Sequence, residues 1–191
     1  MKAVLAALLF GAVAHAGVIV YATNLSGPGE SPPNASPGTG FAEVTIDNVA
    51  NTMRVQVTFA GLLGTTTASH IHCCTAVPFA GTAAVATTTP TFTSFPLGVT
   101  SGTYDHTYDL LDAGSYNPTF VTASGGTTAG AESALLAAMA AGETYLNIHS
   151  TVVLGGEIRG FLVADTPEPG TFLMAGGILA GIVLRHRQRR K

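Results

Sequence analysis

Several short runs of this chain alternate apolar and polar residues, the pattern of a strand that buries one face. The clearest run is 52–59, in which every second residue from Met53 to Phe59 is apolar. Further runs of this kind lie at 17–24, 41–46, 68–72, 145–150 and 156–163. Glycine- and asparagine-containing turns separate the runs, so the sequence predicts an all-β chain of short antiparallel strands.

The segment 131–141 breaks this pattern, because it consists of strong helix formers and ends before Gly142, a typical residue after a helix. We expect one short helix there, crossing between strands. Short strands joined by turns predict an antiparallel Greek-key sandwich. The segment 25–40 is too rich in proline and glycine for regular structure, and the threonine-rich segment 82–103 predicts a wide loop or edge strands.

Charge is scarce and unevenly placed. Only 10% of the 191 residues are charged, against roughly a quarter in an average soluble protein. Between residues 17 and 166, two basic residues, Arg54 and Arg159, face ten acidic ones, so this body carries a net charge of about −8. Without an interior basic patch, the sequence argues against nucleic-acid binding.

The first 16 residues read as a targeting segment. A basic start is followed by a short apolar run and by Ala14-His15-Ala16. This order is that of a secretory signal peptide, removed by signal peptidase after Ala16. A buried N-terminal helix is the alternative interpretation of the same residues.

The last 27 residues, 165–191, read as a second targeting segment. Pro167, Glu168 and Pro169 precede an apolar run at 171–184, and an arginine-rich tail follows it. We predict a transmembrane helix at 171–184. Its length of ~21 Å is shorter than the ~30 Å hydrocarbon core of a bilayer. Arginine side chains that extend to the membrane surface and local thinning of the bilayer would offset this difference. The basic tail would remain cytoplasmic and the body would face outward.

This order of residues resembles the PEP-CTERM sorting signal. The resemblance implies export in a Gram-negative bacterium that makes exopolysaccharide, recognition by an exosortase, removal of the tail, and release or attachment in the extracellular matrix. A plain C-terminal membrane anchor is the alternative, with the same topology and no processing.

Four pieces of the body occur in an order that resembles the CHRD domain of bacterial secreted proteins. They are Gly29-Glu-Ser-Pro-Pro33, Thr39-Gly-Phe-Ala42, Gly61-Leu62 leading to His70-Ile-His72, and Tyr145-Leu-Asn-Ile-His-Ser150 with Gly155-Gly-Glu-Ile-Arg-Gly160. The resemblance spans about residues 20–164, and we assign the domain to 17–164. It implies an immunoglobulin-like or superoxide-dismutase-like sandwich, and it implies no particular reaction.

Three histidines are candidate metal ligands. His70 and His72 point to one face of a strand because they are two residues apart, and His149 lies in another predicted strand. Imidazole suits copper, zinc or nickel. The order of these histidines and Arg159 is similar to that of copper–zinc superoxide dismutases. A bridging histidine and a zinc-ligand cluster are missing, so we do not expect a full dismutase site, and a copper-only site stays open as a hypothesis. Structural hydrogen bonds are the alternative role.

Two further pairs are candidates for a role near this site. Cys73 and Cys74 are adjacent and, in an exported protein, meet oxidising conditions. They predict a vicinal disulfide, with bonds to another chain, buried thiols or soft metal ligands as alternatives. Glu157 and Arg159 share a strand face and predict an ion pair or a site-adjacent pair.

The sequence contains no nucleophile elbow, P-loop, dinucleotide fingerprint or zinc-protease motif. We therefore expect a non-enzymatic binding or structural module of the cell surface or matrix, with exopolysaccharide or extracellular proteins as partners. A copper-binding protein with a superoxide-dismutase-like site and redox activity is the alternative. A calcium-assisted adhesin that uses Asp105, Asp109 and Asp112 is a third hypothesis.

Overall fold

The computed structural model describes residues 17–165. The predicted signal peptide at 1–16 and, from residue 166 onward, the sorting signal with its helix at 171–184 lie outside the described residues. Within residues 17–165, no helix is both long and apolar enough to cross a membrane.

The described chain is mostly antiparallel β, as the alternating runs predict. The strands are β1 (Val18–Ser26), β2 (Thr39–Asp47), β3 (Thr52–Ala60), β4 (Thr66–Cys73), β5 (Gly102–Asp109), β6 (Thr144–Ser150), β7 (Ile158–Phe161) and β8 (Val163–Ala164). The helices are α1 (Pro118–Ala123) and α2 (Thr128–Ala141), with short 3₁₀ turns at Gly27–Gly29 and Ala113–Ser115.

All eight strands belong to one sheet, which curls into a half-barrel. Its order is β4-β6-β7-β1-β2-β3-β5, and β8 pairs with β1 beside β7. We expected a sandwich of two sheets. The ladder is continuous instead because β1 pairs with β2 along its whole length, while its other edge pairs with β7 and β8.

Two elements differ from the sequence-based expectations. Strand β5 carries polar residues at most positions, so it lacks the alternation that identified the other strands, yet Tyr104 and Tyr108 bury its inner face. Helix α1 adds a second short helix, which begins at Pro118 after Asn117 caps it by accepting a hydrogen bond from the Thr119 N–H.

Helix α2 begins three residues earlier than predicted, because Thr127 accepts a hydrogen bond from the Gly130 N–H and caps it. Its predicted end is confirmed. Gly142 adopts a left-handed conformation with φ of 73°, which a residue without a Cβ adopts at little cost.

Strands β4 and β6 separate apolar and polar side chains onto opposite faces. Their pairing places Ile71 opposite Leu146, and both side chains are fully buried in the apolar core. The alternate positions carry His70 and His72 on β4, facing Asn147 and Tyr145 on β6. Loops that follow the strands cover this polar face.

The apolar face of β6 contributes strongly to stability. We expect Leu146→Ala to lower the free energy of unfolding by about 2–5 kcal/mol, because the substitution leaves a cavity at a fully buried position. Leu111, whose side chain is half exposed, is the matched control, and Leu111→Ala should change that free energy by roughly 0.5 kcal/mol or less. Urea unfolding of both variants measures the difference; equal losses would contradict the assigned core.

Candidate metal centre

The structure brings His70, His72 and His149 together. Each histidine offers one ring nitrogen, and these nitrogens lie within 4.8 Å of one another. The first two lie on β4 and the third on β6, which pair side by side. An ion with nitrogen bonds of about 2.0–2.1 Å would require each ring to move inward by about 0.7 Å or less.

Backbone carbonyls orient all three rings. His70 donates its Nε2–H to the Pro90 carbonyl at 2.7 Å. His72 donates its Nδ1–H to the Ala83 carbonyl at 2.9 Å, and His149 donates its Nδ1–H to the Leu154 carbonyl at 2.9 Å. A neutral imidazole has a single N–H, so each of these bonds leaves a lone pair on the other nitrogen. Histidines that bind metal commonly donate their other N–H in this way, which fixes the orientation of the ring.

Two of these lone pairs lack any partner. The Nδ1 of His70 and the Nε2 of His149 are buried and form no hydrogen bond. Leaving a buried acceptor unpaired costs about 1–3 kcal/mol. A bound cation would supply the missing partner for both nitrogens at once.

Burial keeps the two β4 imidazoles neutral. It lowers the pKa of His70 from 6.5 to about 4, although the bond to the Pro90 carbonyl acts in the opposite direction. Burial likewise lowers the pKa of His72, and the neighbouring His149 adds to this effect. Neutral imidazoles are the form that binds metal, so the lone pair of His70 stays available in mildly acidic solution.

The side chains of His72, Tyr145 and Arg159 form a stack. The Tyr145 ring lies parallel to the His72 ring, with centroids 4.7 Å apart. The buried Arg159 guanidinium lies 4.6 Å from the centroid of Tyr145, a cation–π contact. Arg159 also donates to the carbonyls of Gly29 and Gly81, so it joins two loops to the stack.

The ionic partner of Arg159 is Glu30. Their Nε and Oε2 atoms are 3.8 Å apart, and both side chains are buried. Burial raises the pKa of Glu30 from 4.5 to about 7, against the opposing effect of Arg159. One carboxylate oxygen, Oε1, has no hydrogen-bond partner.

Glu157 does not form the ion pair with Arg159 that the sequence predicts. Its carboxylate accepts hydrogen bonds from the Ser36 hydroxyl and from the N–H groups of Leu63 and Gly64. These bonds satisfy the buried charge and tie two loops together. Arg159 is adjacent to the site through Tyr145, and Glu157 is a structural residue.

Cys73 and Cys74 form a disulfide with each other. Cys73 packs in the apolar core and Cys74 is exposed. The strand alternation directs Cys73 away from the face that carries His72. The two sulfurs are therefore not among the donors that the histidine cluster gathers.

The acidic residues proposed for calcium have other partners. Asp105 forms a two-pronged ion pair with Arg54 on the exposed face of the sheet. Asp109 accepts a hydrogen bond from the Leu111 N–H, and Asp112 accepts one from the Gly114 N–H. These are local turn contacts, which explain the carboxylates without an ion.

The sequence assigned no role at the metal site to Glu30, Tyr145 or Asn147. Glu30 comes from a proline- and glycine-rich loop with no periodic pattern. Tyr145 and Asn147 precede His149 at intervals of two, so strand alternation places all three on one face. That spacing is the sequence feature that places Tyr145 and Asn147 beside the histidines.

Comparison with known proteins identifies one family. The family model of the CHRD domain matches residues 21–162. No curated protein and no solved structure shows significant similarity to the chain.

The neutral state of His70 makes the stability of the metal-free protein depend on pH. As the pH falls from 6.5 towards 4, His70 binds a proton in the unfolded chain but stays neutral in the folded protein. Stability should therefore fall over this window, by up to about 3 kcal/mol. His70→Gln removes this contribution, so the stability advantage of the wild type over the variant should shrink as the pH falls. Denaturant unfolding with a chelator present at several pH values measures it.

Glu30 provides a test of opposite sign. Burial raises the pKa of Glu30 to about 7. The stability that Glu30 contributes to the folded protein is therefore fully present below pH 4.5 and is lost as the pH rises through 7. Glu30→Gln should remove that loss. A pH dependence unchanged by either substitution would show that neither group is buried as described.

Proposed function

Because this chain belongs to the CHRD domain family, we propose that it is an exported domain that binds a transition-metal ion, copper or zinc, at His70, His72 and His149. The observation that carries the proposal is the clustering of the three histidine rings. Each ring gives its one N–H to a backbone carbonyl, and one nitrogen of each ring lies within 4.8 Å of one nitrogen of each of the other two. Purely structural histidines would not need the unpartnered buried nitrogens that His70 and His149 carry.

Stable binding, rather than turnover, is the role we propose for the ion. The donor nitrogens of His70 and His149 are shielded from solvent, which limits the access of a substrate to an ion held there. Arg159 is buried and engaged by two carbonyls and Glu30, so it is not free to attract an anionic substrate such as superoxide. These observations favour a binding module over a redox enzyme.

We further propose that the protein acts at the cell surface or in the extracellular matrix. The residues that support this are those of the signal peptide at 1–16 and of the sorting signal at 165–191. Signal peptidase and an exosortase would be the processing partners, and the membrane would hold the chain before processing. The acidic body then favours neutral polysaccharides or extracellular proteins as matrix partners.

The metal site is tested by metal content. The full chain is exported into a periplasm, offered copper and zinc in turn, and dialysed. We expect close to one ion per chain in the wild type and almost none in the double variant His70→Ala/His149→Ala. His106→Ala, a histidine outside the cluster, is the matched control and should retain the ion. Absence of metal from the wild type, or its retention in the double variant, would refute the proposal.

Export and processing are tested by mass spectrometry of the protein from cells that contain an exosortase. The mature chain should begin at Gly17 and lack the tail. Pro167→Ala/Pro169→Ala should leave the tail uncut and the protein in the membrane fraction. Pro78→Ala, an exposed proline of the body, is the control. Efficient tail removal in the Pro167/Pro169 variant would contradict recognition of this motif.

A further inference from the structure

Asn147 lies at the centre of the polar face that carries the histidines. It occupies β6 between Tyr145 and His149 and pairs across the sheet with His70 on one side and Arg159 on the other. Its side chain is 98% buried, since only 2% of its surface is exposed. A buried amide needs partners for both its oxygen and its nitrogen.

The amide oxygen faces a nitrogen that has no proton to give. Asn147 Oδ1 lies 3.1 Å from Nε2 of His72. The single N–H of the neutral His72 ring is on Nδ1, where it donates to the Ala83 carbonyl. With the ring proton on Nδ1, neither atom has a proton to donate across this 3.1 Å contact. A cation bound beside this contact would give both atoms a partner.

The spacing of the two atoms suits this role. Ligands of a tetrahedral ion with bonds of about 2.0–2.1 Å lie about 3.3 Å apart. The 3.1 Å between Asn147 Oδ1 and His72 Nε2 is close to that value. The other two imidazoles supply the remaining nitrogens of the cluster.

The opposite end of the amide lies beside Glu30. A Cβ added at Gly156 would lie 2.8 Å from Asn147 Nδ2 and 2.5 Å from Glu30 Oε1. Both atoms thus border the small space that the glycine leaves open. Although Glu30 Oε1 forms no hydrogen bond, an acceptor oxygen on the Nδ2 side favours electrostatically the amide orientation that turns Oδ1 towards His72.

We propose that the side-chain oxygen of Asn147 is the fourth donor of the metal site, completing a three-nitrogen, one-oxygen set with His70, His72 and His149. This assignment rests on the proposed metal-binding function. Four donors without a thiolate form a closed set suited to Zn²⁺ or Cu²⁺. Glu30 is then a positioning residue that acts through the amide.

The test compares three variants of the full chain. Asn147→Leu keeps the size of the side chain and removes the oxygen, whereas Asn147→Asp keeps an oxygen at the same position. Thr144→Val is the matched control, because Thr144 is buried on the same strand and its hydroxyl has no partner. Zn²⁺ affinity is measured by competition with a chromophoric chelator, and the visible spectrum of bound Co²⁺ reports the donor set.

We expect Asn147→Leu to weaken Zn²⁺ binding about tenfold or more and to change the Co²⁺ spectrum. Asn147→Asp should bind at least as tightly as the wild type, which also shows that the altered site folds. Thr144→Val should leave both readouts unchanged.

Two results would overturn the role of Asn147 while leaving the three histidines as ligands. One is wild-type affinity with an unchanged Co²⁺ spectrum in Asn147→Leu. The other is equal loss in Asn147→Leu and Asn147→Asp, because it would mean that the amide N–H matters and the oxygen does not. A wild-type chain that binds neither Zn²⁺ nor Co²⁺ would instead refute the metal site itself.

Discussion

The antiparallel pairing of β4 with β6 is the contact on which the rest of the site depends. It aligns Ile71 with Leu146 on the core face and His70 with Asn147 on the polar face. A shift of one residue would exchange the two faces and bury the imidazoles in the apolar core. The burial of Ile71 and Leu146 therefore fixes the positions of the histidines, and the fold and the site share one register.

Loops orient the histidine rings that the strands bring together. The carbonyls that orient the rings belong to Pro90, Ala83 and Leu154, which lie in segments without regular structure. Arg159 adds a second level of support by joining the loops of Gly29 and Gly81 to the stack on Tyr145. The strands thus determine the positions of the three histidines, and the loop carbonyls determine which nitrogen of each ring carries the proton.

The sequence predicted the parts of this structure that depend on local patterns. Alternation identified most strands, the end of α2 followed from Gly142, and spacing placed His70 and His72 on one face. Contacts distant in the chain were beyond such patterns. Nothing in the sequence pairs Glu30 with Arg159, and the continuous sheet depends on the two edges of β1. Strand β5 was missed because its outer face and much of its inner face carry polar groups.

The shielding of the donor nitrogens has a kinetic consequence. If the proposed site binds an ion, the segments around these buried nitrogens would have to move before the ion could enter or leave, so its exchange would be slow. A chain that folds after crossing the inner membrane would take the ion present there at that moment and then retain it. The metal found in the protein would then record the supply in the folding compartment, as much as the order of affinities that imidazole ligands impose.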